Sequence, residues 1–104
     1  MYTGGVTLAN STGIITIDFG VAPGSNEASV DVVGQTNISN TSKAEAFVMG
    51  DDSTVDHTAL DHRYLAMFAG FSCGTPVANT GFTIYARSLE KLTGQFKLRW
   101  VWTD

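Results

Sequence analysis

Apolar and polar positions alternate with period two along much of this 104-residue chain, the spacing of strands that bury one face and expose the other. In residues 14–21, Ile15, Ile17, Phe19 and Val21 share a face opposite Thr16, Asp18 and Gly20. Residues 27–33 repeat the pattern, with Ala28, Val30 and Val32 opposed to Glu27, Ser29 and Asp31. Between them, APGSN is turn chemistry: Pro23 fixes its φ and Gly24 takes φ > 0 freely, so the two strands are expected to form a hairpin. Residues 43–49 predict a third strand with apolar groups on both sides, Ala44, Ala46 and Val48 on one and Phe47 and Met49 on the other. Residues 64–73 are apolar on both faces and predict a covered central strand. Residues 82–87 alternate Phe82, Ile84 and Ala86 against Thr83, Tyr85 and Arg87. Residues 95–103 set Phe96, Leu98, Trp100 and Trp102 against Gln95, Lys97, Arg99 and Val101, the clearest strand in the chain. Residues 58–64 and 88–92 predict at most a turn or two of helix, because neither sustains helical apolar spacing. Six or seven short strands separated by turns predict an all-β fold, a single-domain antiparallel β-sandwich or small barrel. Residues 1–10 read as a candidate N-terminal arm.

Composition narrows the class. The length suits one domain burying about two-thirds of its unfolded-chain surface. Charged residues make up 15% of the chain, against ~25% in ordinary domains, and Gly, Ser, Thr, Asn and Ala take their place. No run approaches the ~18 apolar residues of a membrane helix, and MYTGGVTLAN lacks the basic start and apolar run of a signal peptide, so a soluble, non-exported chain is expected. Cys73 is the single cysteine, which excludes an internal disulfide and a four-cysteine zinc site. The net charge of −4 argues against nucleic acid as main partner, because phosphate binding depends on Lys and Arg. Through His62 one base faces eight acids, a net −7, and from Arg63 five bases face two acids, a net +3. Either neighbouring copies dock by complementary charge, or the two halves interleave within one fold and the asymmetry cancels.

Most of the metal-capable chemistry sits in GDDSTVDHTALDHR, residues 50–63. Its candidate ligands are Asp56, His57, Asp61 and His62, which would meet at one ion only if the segment folded back on itself, since a helix separates positions five apart. The competing reading is an acidic surface loop whose side chains cap turns, and no metal or other cofactor is expected. Gly70-Phe71-Ser72-Cys73-Gly74 matches G-x-S-x-G formally, but Pro76 follows where the nucleophile elbow needs a helix, and both histidines lie upstream. No catalytic residues are assigned, and Cys73 reads as a small buried hydrophobe. The aromatic residues Phe96, Trp100 and Trp102, with Tyr85, have the chemistry to stack on sugars or bases. Alternation makes Trp100 and Trp102 core or subunit-interface residues, with Lys97 and Arg99 facing away. Phe47, Met49, Trp100 and Trp102 are therefore the interface candidates.

Two stretches, IDFGVAPGSNEASVDVVGQTNI with SKAEAFVMG and then NTGFTIYARSLEKLTGQFKLRWVW, resemble small β-rich virion proteins of tailed bacteriophages. The resemblance spans most of residues 14–102 and lies in texture and strand order. It implies a non-enzymatic virion component, assembled in the host cytoplasm in many copies as a symmetric homo-oligomer among other structural proteins. Head decoration or cement is the expected role, and a tail, baseplate or fibre protein in host contact is the alternative. A metal- or carbohydrate-binding β-sandwich using residues 51–62 is the alternative from another class.

Overall fold

The structure, a computed structural model, describes residues 10–50, 54 and 57–104. Those residues form β1 (Asn10–Asp18), β2 (Ser25–Val32), β3 (Lys43–Val48), α1 (Ala59–Phe68), β4 (Ala69–Cys73), β5 (Phe82–Leu92) and β6 (Gln95–Thr103). The strands make two antiparallel three-stranded sheets, β1-β6-β3 and β2-β5-β4, which enclose one core as an open sandwich with no closed barrel. Of the two expected architectures, the sandwich is the one adopted.

Alternation explains the layers. Phe96, Leu98, Trp100 and Trp102 of β6 all point inward and are buried, facing Phe82, Ile84 and Ala86 of β5 across the core. The tryptophans dictate their neighbours. Trp100 lies between Gly13 of β1 and Ala46 of β3, and Trp102 between Ser11 and Ala44, so each indole spreads over the smallest residues of both flanking strands. At Gly13 a Cβ would lie 2.5 Å from the Trp100 ring. Phe82 meets Trp100 edge-on at 5.8 Å, and the Trp102 indole Nε1–H donates to Gln35 Oε1 at 3.0 Å. That bond satisfies the polar tip of a buried indole and anchors the loop that carries buried Ile38.

Three expectations change. Residues 14–21 and 27–33 are not partners in a hairpin: β1 pairs with β6 and β2 with β5, so the chain between them crosses from one sheet to the other. β1 has the small residues that fit against the tryptophans, and β2 does not. Gly24, at φ +81°, sits where any Cβ would collide with the Leu92 carbonyl, which lets the crossing press against the end of β5. Residues 64–73 are not one central strand but the end of α1 followed by β4. Residues 88–92 hold no helical turn and complete β5. The candidate arm lies outside the described residues except Asn10, which opens β1.

Gly13→Ala is expected to destabilise the fold by about 1–3 kcal/mol through overpacking against Trp100. Trp102→Ala is expected to cost about 3–5 kcal/mol by opening a cavity and orphaning Gln35. Denaturant titration followed by tryptophan emission measures both.

Candidate functional site

The histidine segment is organised around a helix start. Thr58 caps α1: its hydroxyl accepts from the Asp61 N–H, and its own N–H donates to Asp61 Oδ2, each at 3.3 Å, a reciprocal capping box. His62, one residue into the helix from Asp61, is fully buried. Its Nε2 accepts from the Lys97 N–H at 2.9 Å, so its Nδ1 carries the proton and donates to the Thr58 carbonyl at 2.8 Å. Met49 N–H donates to the Lys97 carbonyl, continuing the β3–β6 ladder, and the imidazole serves the Lys97 N–H at the point where the strand pairing ends. His62 is thus a neutral plug that joins α1 to the central strand of a sheet.

His57 stacks on Phe96, with ring centroids 3.9 Å apart and planes 15° apart. Its Nδ1 faces Asp61 Oδ2 at 3.1 Å and its Nε2 faces the Thr93 carbonyl at 2.6 Å. Both partners are acceptors, so both bonds form together only in the doubly protonated ring. The hydrogen bond from His57 and the Thr58 N–H hold the Asp61 carboxyl below its usual range, against a smaller opposing effect of burial. The two histidines do converge, both against Phe96, but their four ring nitrogens face Asp61, Thr93, Thr58 and Lys97. Asp56 lies outside the described residues, and among the described residues no three His, Cys, Asp or Glu side chains gather as a metal site. What this cluster does chemically is fasten the helix to the β5–β6 corner and to the edge of β6.

The remaining candidates are scattered. Ser72 lies on the exposed side of β4 and Cys73 on the half-buried inner side, preceded rather than followed by a helix, so the strand–turn–helix geometry of a nucleophile elbow is absent from the described residues. Burial pushes the Cys73 thiol up, and the Glu45 carboxylate adds to the shift, which makes it a poorer nucleophile. Trp100 and Trp102 are 7% and 2% exposed, their surface consumed between the sheets, which leaves none for a second copy. Phe47 is 48% exposed on the outer face of β3, and Met49 is half-buried just beyond it. The surface carries two apolar rows, of which the sequence pattern singles out Phe47 alone. Across sheet β1-β6-β3, Ile14 and Phe47 flank Arg99, while Leu60, Tyr64 and Met67 line the outer side of α1 at helical spacing. The Thr58-x-x-Asp61 capping box was the signal for the second row, since it fixes where the helix begins.

No protein-family model matches the chain, and no curated protein matches it. Two predictions follow the geometry of the histidine cluster. His62→Ala is expected to cost about 2–4 kcal/mol, because it removes the acceptor of the Lys97 N–H and empties a fully buried position, while the Thr58 carbonyl keeps the backbone N–H of residue 62. For Asp61, a lowered carboxyl pKa stabilises the fold above the ordinary carboxylate range and is lost as pH falls through the lowered value. Asp61→Asn should therefore destabilise near neutrality and converge with the parent in acid, as read by thermal melts across pH.

Proposed function

We propose that this chain is a non-enzymatic structural protein of a bacteriophage virion, a decoration or cement subunit that stabilises the head by docking against copies of itself and other particle proteins. The observation that carries the reading is the row Leu60, Tyr64 and Met67, which are 51%, 54% and 79% exposed on a short helix whose other side is buried. Large flexible and aromatic side chains held in water on a rigid element suit a surface completed by another chain, where aromatic residues and Met are enriched. Ile14 and Phe47 around Arg99 give sheet β1-β6-β3 a second surface of the same character. The phage assignment itself draws on the resemblance of the strand-forming stretches, and a tail or baseplate position is its alternative.

Met67→Asp and Phe47→Asp, both at exposed positions, are expected to leave circular dichroism unchanged and to weaken association about tenfold or more, measured by sedimentation of the full chain over a concentration series and by co-sedimentation with particles. A chain that stays monomeric throughout and fails to bind particles would sink the assembly reading. Antibody labelling of purified particles is expected to decorate the head, and label confined to the tail would overturn the cement role.

A further inference from the structure

The outer face of sheet β2-β5-β4 holds a shallow groove of about 690 Å³. Tyr85 of β5 stands at one end of it, 51% exposed, with Ser29 and Ser72 directly beside it on the flanking strands. The next row across the sheet is Glu27, Arg87 and Gly70. Arg87 and Glu27 approach to 3.9 Å with both side chains largely in water, a loose pair whose donors and acceptors stay available. The Tyr85 ring leans over Gly74, where a Cβ would lie 3.2 Å from its Cε2, and so forms a wall between this groove and a second depression of about 260 Å³. At Gly70 a Cβ would meet nothing within 4 Å, which keeps the groove open at the β4 side.

We infer that this groove binds a neutral pyranose unit of a glycan. A pyranose is apolar on its C–H face and studded with hydroxyls around its rim, and the groove presents the matching arrangement. The half-exposed Tyr85 ring that lines the groove supplies the aromatic surface on which C–H bonds pack, since the face of an aromatic ring attracts positively polarised edges. Around it, Ser29 and Ser72 donate and accept, Arg87 donates and Glu27 accepts, which is the inventory needed by hydroxyls that do both. The charges of Arg87 and Glu27 offset one another and Asp31 lies in the adjoining depression, which disfavours phosphate or carboxylate ligands and favours an uncharged one. The site is on the opposite sheet from the Ile14–Phe47 surface and does not depend on the virion assignment.

Isotope-labelled full-length chain titrated with cellohexaose, chitohexaose and a linear mannohexaose tests the inference by amide chemical shifts. At least one oligosaccharide is expected to give saturable shifts confined to residues 27–29, 70–72 and 85–87, with millimolar or tighter affinity. Tyr85→Ala should weaken that binding about tenfold or more, and Gly70→Gln, which fills the groove from an unobstructed position, should block it while the remaining spectrum is unchanged. The inference fails if none of the three sugars shifts these amides, or if binding survives both substitutions. It also fails if the same amides move with protein concentration alone, which would mean that a second copy covers the face.

Discussion

Two adjacent inward tryptophans on one central strand constrain everything else in this sandwich. A buried indole that reaches sideways over the neighbouring strand, as Trp100 does over Gly13, needs lateral room that the strand supplies only by giving up bulk in its own side chains. Gly13 and Ser11 do so on one side of β6, Ala46 and Ala44 on the other. Close packing tolerates neither a void nor an added methyl here, so the register of both flanking strands is set by the need to align small with large. Slipping β1 by two residues would keep the same face inward but bring Ile15 against Trp100. The sheet is therefore specified by volume as much as by hydrogen bonding.

The far end of the same strand is closed differently. Phe96 is packed edge-on by Phe19 at 5.9 Å and flanked by both histidines. Where β3 leaves the sheet, a buried backbone donor on β6 needs an acceptor, and a side chain from α1 provides it. Imidazole suits this task because one neutral ring accepts at one nitrogen and donates at the other, so His62 completes the strand and the helix turn at once. The residues that looked most like metal ligands have their polar atoms turned toward the protein. Buried polar groups find partners wherever the fold allows, and here both ring nitrogens of the fully buried His62 have one.

The sequence disclosed the strands better than their partners. β6 was legible to the residue because its alternation is uninterrupted and its inward side chains are all large, and the small inward face of β3 was also visible. Pairing was not, because turn chemistry at Pro23 and Gly24 reports that the chain reverses, not whether it reverses within a sheet or between sheets. Among the described residues β4 and β5 are the consecutive strands that pair with each other, and the other connections change sheets. The helix was hidden for a physical reason too. Leu60, Tyr64 and Met67 face water while the polar His62 is buried, so the two sides of α1 differ little in polarity and its period is lost in the average, leaving the capping box as its signature. For the candidate sites, alternation placed Tyr85 opposite Ile84 and Ala86, yet only the cross-strand register could show that Ser29 and Ser72 stand beside it.

Along the chain the charge divides into −7 before Arg63 and +3 after, and among the described residues the strands of the two parts share both sheets. Both late strands are central, β6 between β1 and β3 and β5 between β2 and β4, so Arg87 on β5 borders a β2 that carries Glu27 and Asp31, and Lys97 and Arg99 on β6 lie between strands that carry Asp18 and Glu45. Glu27 lies across from Arg87, and Arg99 sits one row from Glu45 on the outer face. Like charges that would crowd together if each half formed its own sheet are instead distributed over both sheets. The same order means that neither sheet is complete until residues 82–103 join, so the sandwich rests on long-range pairings and its early strands have exposed edges until the last two arrive. The tryptophans that define the core are supplied by the last strand in the chain, so the inward faces of β1 and β3 stay uncovered until β6 lies between them.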